Sequence, residues 1–269
     1  VVGGGGLRGA YAVGVLRELH RHGGSDQFDA IYAVSVGVFA STFFAADQVS
    51  TLENSWRQHV HGSQLINFWN LFRGRAVLDL DYLIDIFQSA KSWLSLDRVY
   101  SAHPDLFYVV TNYHTGEPEY PSAKSPRIFS LMKASSALPI MYSKAVHVDG
   151  ARYIDGGVSD PIPVQKALDD GCQDITVILT RPKKVRTPVP GLLSTLALRS
   201  KPARAALETM HRRWNDSERL LERLSRSSDC ELTVFRPTQL EVTRLSRDRK
   251  LIVRAIDRGE ADARKKLSP

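Results

Sequence analysis

The run Gly3-Gly4-Gly5-Gly6-Leu7-Arg8-Gly9 constrains the fold of this chain more than any other stretch. Val1-Val2 ahead of it reads as the tail of a strand and Ala10 to Leu19 as a helix, so the glycines form a tight strand-to-helix loop. Bare backbone N–H groups at a helix N-terminus, with no side chains in the way, suit an anion or a developing oxyanion. A second turn of the same kind follows. Phe28 to Val34 reads as a buried strand, Gly37 to Ala45 as a helix, and Ser35 stands between them with Ala33 and Gly37 two residues to either side. That spacing fits a nucleophile elbow, which lifts a serine hydroxyl clear of the backbone.

Further along, Leu106 to Tyr113 is rich in β-formers and turns at Thr115-Gly116-Glu117. Ile128 to Ala137 reads as a short helix ended by Leu138-Pro139. Val146-His147-Val148 and Arg152-Tyr153-Ile154 flank the turn Asp149-Gly150 as a hairpin running into Asp155-Gly156-Gly157. Pro161 and Pro163 open a helix through Val164 to Asp170, and Asp174 to Thr180 is another buried strand. Strands alternating with helices predict a three-layer α/β/α fold with a largely parallel central sheet. Val49 to His59 is expected to be a helix with Ser50 or Thr51 as N-cap. Residues 61–98 mix aromatics with polar breaks, either as core or as a cap over a pocket. Beyond Arg181 the prolines Pro182, Pro188 and Pro190 lead into an amphipathic helix, Ala203 to Leu224. Glu231 to Phe235 then reads as a strand and Ser246 to Lys266 as a basic terminal helix.

With 269 residues, 43% of them hydrophobic, the chain can bury a large α/β core. The expected division is a catalytic domain, residues 1–180, and a basic, mainly helical C-terminal extension, residues 181–269, packed on it. No run approaches the roughly 18 apolar residues of a membrane-spanning helix, so a cytoplasmic or peripheral membrane protein is expected. The chain begins within a strand and without an initiator Met; upstream residues are therefore expected, and a targeting segment there would not be visible. Cys172 and Cys230 have no partners at metal-ligand spacing and read as reduced and structural. The net charge of +7 is uneven: residues 1–180 hold 14 Lys/Arg against 18 Asp/Glu, and residues 181–269 hold 22 against 11. Charge alone admits a solvated surface, an anionic lipid surface or nucleic acid.

Taken singly, the motifs are ambiguous. Gly4-x-Gly6-x-x-Gly9 after a strand also occurs in dinucleotide-binding folds, but those need an acidic residue at the end of the second strand, where this chain has Val34 and Ser35. No Lys-Ser or Lys-Thr pair follows the glycines, which argues against a phosphate-binding P-loop. A serine nucleophile needs a base. None of the eight histidines sits in a recognisable catalytic setting, whereas Asp155, followed by two glycines at a strand end, is placed to act as a desolvated general base.

Together, Gly4-Gly5-Gly6-Leu7-Arg8-Gly9, Ala33-Val34-Ser35-Val36-Gly37 and Asp155-Gly156-Gly157 resemble the oxyanion loop, nucleophile elbow and catalytic aspartate motif of patatin-like phospholipases. Ala134 to Pro139 and Tyr153 to Pro163 are similar to runs in bacterial members. The resemblance covers residues 1 to about 180, with Ala33 standing where the family's elbow usually has glycine. It implies lipid acyl hydrolysis by a Ser-Asp dyad through an acyl-enzyme. Ser35 would be the nucleophile and Asp155 the base. Gly4, Gly5, Gly6, Arg8 and Gly9 would form the oxyanion and substrate-binding loop, and Ala33, Gly37, Gly156 and Gly157 would support the motifs. Arg8 is expected either to add charge near the oxyanion or to anchor the loop on a carboxylate. No metal or cofactor is implied. The expected partner is a phospholipid or other acyl ester, with peripheral contact to an anionic membrane through the basic third and no nucleic acid. Two rivals remain: a Ser-His-Asp esterase, for which His211 alone follows Asp155, and a catalytically silent membrane- or protein-binding module on the same fold.

Overall fold

Apolar β-branched runs too short for helices come together as a central sheet, and the amphipathic segments between them cover it. The structure is a computed structural model that describes all residues except 74–75, 90–91, 140, 143, 184, 186–194, 196–197, 229 and 269. Pro188 and Pro190, expected to lead into the C-terminal helices, lie outside the described residues. The strands are β1 (Ala30–Val34), β2 (Asp105–Asn112), β3 (Pro118–Glu119), β4 (Val146–Val148), β5 (Ala151–Asp155), β6 (Asp174–Ile178) and β7 (Glu231–Phe235).

Val2 joins two parallel ladders. Its N–H donates to the Tyr32 carbonyl at 2.8 Å and its carbonyl accepts from Val34, while Val1 and Gly3 bond Ile178 on the other side. The order is therefore β7–β6–Val2–β1–β2–β5–β4. β1 runs parallel to β2, in register from Ala30 with Asp105 to Val34 with Val109, and β6 runs parallel to β7. The sheet is mixed: the second half of β2 pairs antiparallel with β5, and β4 and β5 form the expected hairpin around Asp149-Gly150, both with positive φ.

Among the helices, α1 (Ala10–Arg21), α2 (Gly37–Ala45) and α3 (Val49–Gln58) follow the first strands; α4 (Leu80–Gln88), α5 (Ile128–Ser136) and α6 (Val164–Asp169) come next; α7 (Lys201–Leu224) and α8 (Arg249–Leu267) close the chain. The start of α3 differs from expectation. Gln48, not Ser50 or Thr51, is the N-cap residue, and its side chain is spent on the Trp93 carbonyl and the Ser95 N–H rather than on the helix. Helix α4 turns Leu83, Ile84, Ile86 and Phe87 into the main core, whereas Phe68, Trp69 and Trp93 of the stretch 61–98 are exposed and Leu78 lines the cavity described below. Cys172 and Cys230 are free thiols in the second core, under α6 and β6.

The C-terminal third is built into this body. β7 extends the sheet, and α8 lies on α1 at backbone contact: a methyl on Gly14 would sit 2.0 Å from the Ile256 carbonyl, and one on Gly259 2.1 Å from that of Tyr11. Ion pairs hold α8 on both neighbours, Arg17 of α1 with Glu260 at 2.8 Å and Arg57 of α3 with Asp257 at 2.5 Å. Because α1 starts at the glycine loop, α8 also fixes where that loop sits. Ser200 caps α7, which buries Ala203, Leu207, Met210, Trp214 and Leu221 and leaves Arg212, Arg219 and Arg223 exposed.

Candidate active site

The register carries Ser35 to Asp155. β1 ends at Val34 beside Val109, and the next residue of β2, Val110, pairs with Asp155. The turn after β1 and the end of β5 thus meet at one point, where Ser35 Oγ donates to Asp155 Oδ2 at 2.8 Å. Ser35 has φ 54°, a left-handed conformation uncommon for a residue with a side chain and typical of the sharp strand-to-helix elbow. Ser135 on α5 holds that elbow: its Oγ accepts the Ser35 N–H at 2.9 Å and donates to the Val109 carbonyl at 2.7 Å. Gly37 begins α2, and Ala33, fully buried in β1 opposite Tyr108, fits its place without displacing the pairing.

Asp155 is 4% exposed. Burial pushes its carboxyl up to about 6, against the hydrogen bonds from Ser35 and the Gly157 N–H and the charge of Arg244, all of which favour the ionised form. Oδ1 is held by the Gly157 N–H at 2.8 Å, which leaves Oδ2 for Ser35. Gly156 lies against the Val109 carbonyl.

The glycine loop crosses directly over the serine: a methyl on Gly4 would lie 2.7 Å from Ser35 Cβ. Bonds pin the loop at both ends, Gly3 N–H to Ile178, Leu7 N–H to Arg244 and Thr180 Oγ1 to the Gly4 carbonyl. The N–H groups of Gly4, Gly5 and Gly6 make no hydrogen bond to the described residues. Arg8 is buried and donates from Nε to the Gly5 carbonyl at 3.2 Å, so it braces the loop through a backbone oxygen and not through a carboxylate. Gly9 faces Val36 and Trp56, where it admits the packing of α1, and is not among the residues lining the cavity.

The cavity over Ser35 has a volume of about 60 Å³. Its described lining combines Gly4, Gly5, Gly6, Arg8, Ser35 and Asp155 with apolar Leu78, Leu138, Met141, Met210 and Trp214, and with Arg244. None of the eight histidines lines it, and His211 Nδ1 lies 3.0 Å from the Glu208 carbonyl. Among the described residues no cluster of His, Cys, Asp or Glu could hold a metal ion, and no helix is long and apolar enough to cross a membrane.

Residues 1–168 match the model of the family described as Patatin, patatin-like phospholipase. The chain belongs to the patatin-like phospholipase family. It is 28% identical over 185 residues to the uncharacterized protein YjjU of Escherichia coli (strain K12), a match covering 68% of this chain and 51% of YjjU, so the chain spans about half the length of that relative. The crystal structure of VipD from Legionella pneumophila superposes with a TM-score of 0.52 at 15% identity, over 98% of this chain and 65% of that one, which shows a shared fold. The family match ends at residue 168, inside α6; Arg181, Met210, Trp214 and Arg244 lie beyond it. Sequence reasoning missed these and Thr180. Met210 and Trp214 belong to a helix whose apolar stripe was legible, but Arg244 sits in an irregular segment among other arginines, with no pattern to single it out.

Proposed function

We propose that this chain is a lipid acyl hydrolase whose nucleophile is Ser35 and whose general base is Asp155. The observation that carries the reading is the 2.8 Å hydrogen bond between Ser35 Oγ and the buried carboxylate of Asp155, on a left-handed elbow beneath a loop whose N–H groups at Gly4, Gly5 and Gly6 make no hydrogen bond to the described residues. Asp155 takes the hydroxyl proton as Oγ bonds to the ester carbonyl carbon. The carbonyl oxygen becomes an oxyanion facing the N–H groups around Gly5 and Gly6. Removing one such donor typically costs about 3 to 4 kcal/mol in the transition state. Collapse breaks the ester C–O bond, and Asp155 returns the proton to the departing alcohol. Water then loses a proton to Asp155, adds to the acyl carbon and displaces Ser35 Oγ, which is reprotonated as the fatty acid leaves.

The apolar lining from Leu78, Leu138, Met141 and Met210 suits an acyl chain. At about 60 Å³ the cavity is far below the roughly 300 Å³ of ordinary ligand pockets, so acyl entry requires movement of side chains such as the flexible Met141 and Met210. The test is hydrolysis of a panel of acyl esters and phospholipids. Ser35→Ala and Asp155→Asn are each expected to abolish turnover in a folded protein, with His211→Ala retaining it. Activity surviving in Ser35→Ala, or lost in His211→Ala, would overturn the dyad; a wild type inert toward every ester would favour the silent-module reading.

A further inference from the structure

Arg244 is supplied by the segment between β7 and α8, outside the residues that match the family. Its backbone carbonyl takes the Leu7 N–H at 3.1 Å, which seats the residue directly on the glycine loop. Arg244 lines the same cavity as Ser35 and Asp155, and its charge acts on the Asp155 carboxylate. Two more guanidiniums converge there. Arg8 lies behind the loop, and Arg181 stacks on the Trp214 ring at 3.7 Å. Burial, and then the neighbouring charges of Arg244 and Arg181, lower Arg8 to about 9.

The acids nearby are committed. Glu218 pairs with Arg236 at 2.9 Å, and both Asp155 oxygens are held by Ser35 and Gly157. The Arg244 guanidinium makes no ion pair with any described carboxylate, although it is half-buried. Asp155 acts on it through charge alone, and a partly desolvated cation beside two like charges gains from an anion that bonds it directly. The planar guanidinium fork matches phosphate oxygens two at a time. In a glycerophospholipid the phosphodiester is joined to the acyl ester through the glycerol backbone, and Arg244 lines the cavity in which that ester would react.

Resting on the acyl-hydrolase reading of Ser35, the geometry points to an anion subsite in which Arg244, with Arg8 behind it, takes the phosphodiester of a glycerophospholipid while the ester carbonyl lies over Ser35. The C-terminal segment then decides which lipid the site prefers.

The test measures binding to Ser35→Ala protein, which holds substrate without turning it over. Calorimetry with monomeric dihexanoyl phosphatidylglycerol is compared with dihexanoylglycerol, with and without Arg244→Gln or Arg244→Lys. The expected result is a phospholipid preference that Arg244→Gln lowers by about ten- to a hundredfold and Arg244→Lys lowers less. An unchanged ratio, an equal loss for both lipids in both variants, or no phospholipid binding at all overturns the subsite. Inorganic phosphate is expected to bind far more weakly than the phospholipid; equal affinity would make this a site for free phosphate and overturn the lipid assignment. Turnover of p-nitrophenyl butyrate by the unsubstituted chain reads the dyad separately. If that turnover is intact and the preference absent, only the subsite fails; in the converse case, only the dyad does.

Discussion

Ser135 and Ser35 are joined by a 2.9 Å hydrogen bond in which the hydroxyl of one accepts the backbone N–H of the other. Since Ser135 Oγ also donates to the Val109 carbonyl, one side chain ties the end of β1 to the middle of β2 at the point where the chain turns left-handed. Ser135→Ala removes both bonds inside the protein. The expected cost is about 1 to 3 kcal/mol of stability, read by urea unfolding, with a fall in kcat larger than any change in KM. A fully active, equally stable variant would show that the elbow holds its shape unaided.

In the proposed mechanism Asp155 sets the pH dependence. Its folded-state carboxyl lies at about 6, above the ordinary carboxylate value of 3.8, so as the proposed base it would be ionised and competent only above that point. The rate constant kcat/KM for a neutral ester is expected to rise with pH to a plateau, with a limb near pH 6. A limb near pH 4 would mean that the carboxylate is solvated during the reaction.

The same shift is a stability cost. A raised carboxyl pKa means the folded state binds the proton more tightly than the unfolded chain, so the penalty is full above about pH 6 and vanishes as pH falls toward 4. Asp155→Asn keeps the shape without the charge. It is expected to gain on the order of 2 to 3 kcal/mol at pH 7, seen as a higher melting temperature, and to gain little at pH 4. No gain at pH 7 would mean that the interactions with Ser35, Gly157 and Arg244 already offset burial.

The α1–α8 contact should be the most sensitive point far from the chemistry. Gly259→Ala places a methyl about 2.1 Å from the Tyr11 carbonyl, so the two helices must separate. Loss of about 1 to 3 kcal/mol is expected from such overpacking, together with lower activity because α1 begins at the glycine loop. Loss of stability with unchanged activity would show that the loop is held locally.

For the lipid surface, the exposed arginines at the end of α7 are the useful probes, since Arg213 is engaged with the Ser159 carbonyl at 3.0 Å. Each cation near an anionic leaflet adds about 1 kcal/mol. Co-sedimentation with anionic vesicles is expected to fall with salt and with Arg223→Glu plus Arg226→Glu, neutral vesicles binding weakly throughout. Insensitivity to that double change would assign the basic surface to solvation alone.

Local chemistry alone determined much of this protein. Glycines with no side chains to hide their N–H groups, a serine between small residues at a strand end, and an aspartate before two glycines carried the family resemblance, and with it the expectation of a Ser35–Asp155 dyad, because each motif is contiguous and its geometry is set by a few backbone angles. The strand-helix alternation and the hairpin at Asp149-Gly150 were legible for the same reason. Tertiary structure decided the rest. Val2 as the seam between two ladders, the reversal of direction from β2 to β5, and α8 lying on α1 through Gly14 and Gly259 depend on partners up to the length of the chain apart. Arg244 is the clearest case: one arginine among many in the sequence, it becomes part of the site only because its carbonyl docks on Leu7, a contact that spans almost the whole chain and that no periodicity records.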